Sequence, residues 1–213
     1  MALNMSGSFE GSNCWINGYG WIAIALVIFA NWNPVLAILG SRYRGADKAL
    51  AGAFAQSFYQ RLDADEFARH SSEHWAAMAA DMFELVRTRK NAQVKVRVFN
   101  PDRSQVGWDS PHTVVQLLHT DMPYLVDTLT LALSEQGIGV QLLGHPVLVL
   151  GRDKAGKLTT VGSGERESVM LLEVDRQPGE ALAALAARIE DVLAQLRAVH
   201  ADAQAMHAAA LQA

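Results

Sequence analysis

A single cysteine, Cys14, stands among 213 residues. That excludes an internal disulfide and a cysteine-rich metal site, and it suits a reducing, cytoplasmic compartment. Basic charge is in slight deficit, with a net charge of −4. The chain therefore lacks an electrostatic footprint for polyanions, and no nucleic-acid partner is expected. Proline is sparse as well, and each of the six copies marks a turn or an element boundary. Charge of either sign is missing between Gly11 and Ser41. In its place stands WIAIALVIFA, ten apolar residues from Trp21 to Ala30, followed by Asn31-Trp32-Asn33-Pro34 and a second apolar run from Val35 to Leu39.

A membrane-spanning helix needs about 20 apolar residues. Gly18 to Gly40 reaches that length only with the polar NWNP inside it. Asn33-Pro34 reads better as an N-cap followed by a first-turn proline. One span through residues 18–40 and two short hydrophobic helices therefore both stand. Arg42 and Arg44 favour a cytoplasmic downstream end, and the lack of a basic stretch ahead of the apolar run argues against a cleaved signal peptide. The run GYGWIAIALVIFANWNPVLAILGS (residues 18–41) resembles part of the membrane permease subunits of ABC transporters for nucleosides or sugars. That resemblance implies a fragment joined to a different protein near Ser41 to Gly45; the alternative is a one-off membrane anchor. Neither reading confers transport. Residues 46–213 are different in kind, with 16 basic and 21 acidic groups.

From Ala46 to about Arg87 the pattern is helical, with Leu50, Phe54, Phe58 and Leu62 spaced by four. A second helical run after Asp63 or Asp65 carries Phe67, Trp75, Met78, Met82, Phe83 and Val86. At Val94 the period becomes two: Val94, Val96 and Val98 alternate with Lys95, Arg97 and Phe99, which predicts a half-buried strand. Asn100-Pro101-Asp102 is a turn, Gly107 to Pro111 a loop, and Thr113 to Thr120 the next strand. Asp121 is expected to cap a helix with Pro123 in its first turn. That helix carries Leu125, Val126, Leu129 and Leu133 on one face and ends at Gly137. Val140 to Leu143 and Val147 to Arg152 form a long strand interrupted at His145-Pro146. Asp153 to Lys157 makes a hairpin, and Ser168 to Val174 is the returning strand. Pro178 opens a last helix with Leu182, Leu185, Ile189, Val192, Leu193 and Leu196 on one stripe, fraying after His200.

From Thr113 this order is β-α-β-β-α, a ferredoxin-like unit short of its final strand. The strand at Val94 to Phe99 fills the empty edge, or a partner chain does; an open edge is usually covered, so a homo-oligomer is expected. The fold class is α+β: an antiparallel sheet with packed helices, preceded by a helical hairpin and the hydrophobic segment. The domains are a segment 1–45, a helical preface 46–90 and an α+β domain 91–213.

The wording of four stretches carries a second resemblance: VKVRVFNPD (94–102), GWDSPHTVVQLLHTDMPYLVDTLTLAL (107–133), GHPVLVLGRD (144–153) and ESVMLLEVDRQ (167–177). In order and spacing, over about Ala46 to Met206, they resemble the N-terminal, ACT-like region of the large bacterial NAD-specific glutamate dehydrogenases. The resemblance implies a parent enzyme that oxidises glutamate to 2-oxoglutarate with NAD, and a regulatory or assembly role for this region. The catalytic lysines and aspartates of such enzymes have no counterpart in these residues, so no cofactor is expected here and no catalysis by this chain alone. Gly162-Ser163-Gly164-Glu165-Arg166-Glu167 lacks the third glycine of a dinucleotide fingerprint and leads into a strand. ACT domains bind amino acids at the loop after the first strand. The resemblance places such a ligand at Asp121, Met122, Pro123, Tyr124 and Leu125, with Tyr124 where a glycine usually stands. A bulky side chain there closes such a pocket, and assembly is then favoured over sensing. A membrane-tethered amino-acid sensor is the alternative.

Three other constellations stand in the sequence. His70-Ser71-Ser72-Glu73-His74 matches H-x-x-E-H, with both histidines expected on one helix face; no third ligand accompanies it, and chance on a polar face explains it better. Asp109, Ser110 and His112 have the residue types of a hydrolytic triad but sit too close in one loop to align. His119 and His145 are candidates to share a face of the sheet.

Overall fold

The computed structural model describes residues 34–60 and 70–210. Helix α1 covers 34–42, α2 Ala46–Tyr59 and α3 Ser72–Val86; strand β1 covers Lys95–Phe99 and a one-turn helix α4 Arg103–Val106. Then follow β2 (Thr113–Thr120), α5 (Leu125–Ser134), β3 (Val140–Gly144), β4 (Val147–Arg152), β5 (Leu158–Val161), β6 (Glu165–Val174) and α6 (Leu182–Ala210), the last entered through a 3₁₀ turn at Gly179–Ala181.

All pairings are antiparallel. β2 lies between β1 and β6, with Lys95 opposite Leu118 and Val115 opposite Leu172. The far side of β6 is shared by β3 and β4, and β5 closes the sheet beyond β4. The break at His145-Pro146 keeps its line, because the Pro146 carbonyl accepts from Val169 N–H at 3.0 Å. β1 occupies the edge place that the β-α-β-β-α order leaves empty, so the chain completes its own ferredoxin-like sheet.

β2 and β6 are buried on both faces, which explains why they read as continuous apolar runs and not as alternation. Val114, Leu118, Val169 and Leu171 face the helical preface, where Phe54, Trp75, Met82 and Phe83 meet them. Val115, Leu117, Met170 and Leu172 face Leu125, Leu129 and Leu133 of α5 and Leu185, Ile189 and Leu193 of α6. The molecule thus has three layers: preface helices, sheet, and the α5–α6 pair.

The preface is bolted to the sheet at the end of α3. Lys95 Nζ donates to the Leu85 carbonyl at 2.7 Å and Arg152 Nη1 to that of Val86 at 2.9 Å, cations on the last carbonyls of a helix. Arg152 also clasps Glu167 through Nε and Nη2, at 2.7 and 2.9 Å, and Arg89 Nη1 lies 3.3 Å from the same carboxylate. Arg89 further holds the carbonyls of Ala92 and Gln93 and the Thr120 hydroxyl. It thereby braces a turn in which Asn91 and Ala92 take left-handed backbone. Gly156, at φ 80, passes beneath the Arg89 carbonyl, which accepts nothing from it but leaves no room for a Cβ; in return Arg89 N–H donates to Gly156 O at 2.7 Å.

Several expectations shift. The described part of the hydrophobic segment is α1, and its Val35 and Leu39 are fully buried in the same core as Phe54 and Phe83. Tyr43 just beyond it donates to Glu84 at 2.9 Å. The rest of that segment, including Asn33 and WIAIALVIFA, lies outside the described residues, as do Leu62 and Phe67. Among the described residues no helix is long and apolar enough to cross a membrane. α4 fills the stretch between the expected turn at Asn100-Pro101-Asp102 and the loop from Gly107; Asp102 caps it through Ser104 N–H and Gly107 ends it at φ 85. The strand returning from the Asp153–Lys157 hairpin is β5; β6 begins at Glu165, after the Gly162–Gly164 loop. α5 starts at Leu125, so Asp121 is not its cap and Pro123 lies ahead of its first turn. That cap fails because Asp121 is engaged by β6.

Candidate functional site

The five residues expected around a ligand part company at the end of β2. Asp121 accepts from Arg166 Nε at 2.9 Å and from Ser168 Oγ at 3.1 Å, while its own N–H donates to Arg166 O. Met122 packs against the α5–α6 core, Pro123 is exposed, and Leu125 is buried within that core. Tyr124 takes the left-handed conformation, φ 63, that glycine adopts without strain. Its ring is 72% exposed and turns to solvent, so it does not close a pocket.

Of the five, Asp121 and Met122 line a cavity. It measures about 570 Å³ and opens between the end of β2 and the second half of α6, where Ala194, Ala198 and Ala201 leave room beside Arg197. At its strand side stands His119, 2% exposed. The ring Nδ1 lies 2.7 Å from the Thr120 carbonyl and must donate to it. Nε2 therefore carries the lone pair, and it has no hydrogen-bond partner among the described residues. Burial holds the imidazole below its ordinary pKa, and the charges of Arg89 and Arg197 press in the same direction.

His119 and His145 do share a face. Ser168 is the cross-strand partner of His119, and its Oγ lies 3.1 Å from His145 Nε2. Because the single hydroxyl hydrogen goes to Asp121, His145 donates to Ser168. The relay His145–Ser168–Asp121–Arg166 fixes the mouth of the cavity. Ser168, Arg166 and Arg197 were missed from sequence. Arg197, the lone cation among alanines at the end of the apolar stripe, was a readable signal; the other two are visible only through strand register.

The remaining constellations separate. His70 precedes α3, and Ser71 caps it by accepting from His74 N–H at 3.3 Å, so the two histidines do not ride one helix face. Their rings stack at 4.1 Å instead, and His74, in edge contact with Trp75 and Trp108, is pushed down to about 4 by burial. Among the described residues no group of three His, Cys, Asp or Glu is placed to hold a metal ion. Asp109 pairs with Arg103, Ser110 Oγ accepts from His112 N–H, and Arg176 ties the carbonyls of Ser110 and His112, so the three form no triad. Trp108 is fully buried against His74 and Phe99.

Known proteins match this arrangement by sequence. The family described as "Glutamate dehydrogenase, ACT1 domain" matches residues 54–189, from α2 through the sheet into α6. The NAD-specific glutamate dehydrogenase of Halomonas elongata is 32% identical over 180 residues, covering 81% of this chain and 11% of the relative. That of Pseudomonas aeruginosa is 35% identical over 175 residues, covering 77% of this chain and 11% of the relative. The chain thus spans about a tenth of the length of these curated relatives. No solved structure matches. With well over half of its residues inside the family match, the preface helices and the sheet together, the chain belongs to the glutamate dehydrogenase ACT1 domain family.

Proposed function

We infer that this chain serves as a non-catalytic regulatory and assembly segment of a cytoplasmic NAD-dependent glutamate dehydrogenase, the enzyme that converts glutamate and NAD to 2-oxoglutarate, ammonia and NADH. The observation that carries the reading is the family match running unbroken from α2 into α6. The preface, bolted to the sheet through Arg89, Arg152 and Glu167, is then part of the working unit and not an appendage. The expected assembly is a homo-oligomer. Sedimentation velocity on the purified full chain, with an assay of glutamate-dependent NADH formation, tests both halves. A dimer or larger species without activity supports the reading. A monomer at tens of micromolar overturns assembly, and NADH production by the chain alone overturns the non-catalytic role.

A second reading, small-ligand sensing, is favoured by the cavity behind Asp121 and Met122. An amino acid is the ligand that the family resemblance implies for it.

A further inference from the structure

β3 borders the sheet on the far side of β6. It pairs with β6 alone, and β5 covers β4 only from Leu150 onward, so among the described residues no strand lies outside β3. The register tells which backbone groups this edge presents. Val169 N–H donates to Pro146 O at 3.0 Å, and the pairs Gly144–Leu171 and Leu142–Glu173 continue the same ladder. In an antiparallel ladder, hydrogen-bonded positions alternate with positions turned the other way. The N–H and C=O of Leu143 therefore point away from β6. Its side chain, opposite Leu172 on the α5–α6 face, is 38% exposed.

Sheet edges are usually guarded by charge, proline or a bulge. On β3 each of these guards is missing or misplaced. No Asp, Glu, Lys or Arg occurs from Gln136 to Gly151. Pro146 has its carbonyl on the β6 side, so its missing N–H falls on that side too and leaves the outer side unblocked. The bulge lies between Val140 and Leu142, and the register is regular from Leu142 onward. By contrast β1 carries Lys95 and Arg97, and β5 is four residues long.

We propose that the outer edge of β3 pairs antiparallel with β3 of a second copy about a two-fold axis at Leu143. This rests on the assembly reading above and adds the surface that assembles. With the two Leu143 residues opposite each other, each N–H meets the other copy's C=O, and the two exposed side chains cover one another on one face. Charge decides for a second copy as the occupant. Every copy carries a net charge of −4, which sets copies against each other at charged surfaces. A two-fold contact sets each residue against its own kind, so a charge-free edge is the one that two copies can share without opposing like charges.

Sedimentation velocity and hydrogen exchange read by mass spectrometry test this on the full chain at low and high protein concentration. A dimer should form as concentration rises, and exchange over residues 141–147 should slow at least about tenfold with it, while β1 and β5 exchange as before. Leu143→Lys sets two cations against each other at an exposed position. It should raise the dimer dissociation constant at least about tenfold without lowering the melting temperature. Thr159→Lys, on the β5 edge, should leave that constant unchanged. If Leu143→Lys does not fold, the exchange pattern of the unmodified chain decides by itself. A dimer that survives Leu143→Lys, that forms without slowing residues 141–147, or that Thr159→Lys dissociates equally overturns the proposal and leaves the assembly reading standing. A monomer at tens of micromolar overturns both.

Discussion

Glu167 offers the sharpest test of how the preface is held. Its side chain is 3% exposed and satisfies two guanidiniums at once, clasping Arg152 at 2.7 and 2.9 Å and meeting Arg89 at 3.3 Å. Glu167→Gln keeps the shape and one acceptor but removes the carboxylate that both buried cations meet. Breaking a buried pair in this way costs about 3–5 kcal/mol, because the desolvated partner is left uncompensated. A domain of this size has a total stability of about 5–15 kcal/mol. With a urea slope of about 2 kcal/mol per M, the unfolding midpoint should fall by about 1.5–2.5 M. Asp109→Asn is the internal control, since its pair with Arg103 is 59% and 72% exposed. An exposed pair contributes at most about 1 kcal/mol, so that midpoint should move by less than about 0.5 M. Urea titration by far-UV circular dichroism reads both variants. If Glu167→Gln moves the midpoint no further than Asp109→Asn, the cluster is solvated and does not bolt the preface, and the reasoning is refuted.

Leu39→Ala asks whether α1 belongs to the domain: at 2% exposure the truncation should cost about 2–5 kcal/mol, and a neutral result in urea would place residues 34–42 outside the core. Gly156→Ala puts a Cβ onto the Arg89 carbonyl at φ 80, whereas Gly137→Ala at φ 70 meets open space. Backbone strain of about 1–3 kcal/mol is common to both, so the first should lower the melting temperature clearly more than the second. His74 has its pKa lowered from 6.5 to about 4. The unfolded chain then binds a proton that the folded one refuses between those values, so stability is complete above about pH 6.5 and declines as pH falls toward 4, by at most about 3 kcal/mol. His74→Phe should flatten that part of the stability–pH curve, and an unchanged slope would remove His74 as its source.

The elements that were legible from sequence are those whose own residues determine them. β2 is fixed by an apolar run between Pro111 and Pro123, α6 by its stripe from Leu182 to Leu196, and the β3–β4 break by His145-Pro146. Asp121 shows where such reading fails. A D-x-P before an apolar helix satisfies the rule for a cap, yet the carboxylate goes to Arg166 and Ser168, 45 and 47 residues away. Local capping lost to a long-range ion pair that only strand register brings near. β5 was lost for the opposite reason. Four residues with Thr159 and Thr160 exposed carry too little alternation to stand out, and pairing with β4 is what makes them a strand. His119 was legible as a strand residue, but the state of its ring, with Nε2 unpaired among the described residues, depends on Thr120 O taking the other nitrogen.

The route of assembly also changes once β1 is placed. Oligomerisation was expected because the β-α-β-β-α order left an edge open beside β2, and β1 fills that edge with five paired residues from Lys95 to Phe99. The outer side of β1 is guarded in turn. Lys95 and Arg97 are drawn back toward α3, the first onto Leu85 O and the second onto Asp81 at 2.7 Å, so two cations flank the strand. Charged residues on an edge disfavour strand addition. At the other end β5 is only four residues long, with the hydroxyls of Thr159 and Thr160 turned back to Gly151 O and Ser163 O. Neither of these two edges is a ready template for a continuous intermolecular sheet; among the described residues the outer side of β3, which pairs with β6 alone, is the edge left for one. A dimer found by sedimentation therefore has to be sought in the helical layers and at β3 first, and a dimer abolished by blocking the β5 edge would show that this weighting of short, charged edges is wrong.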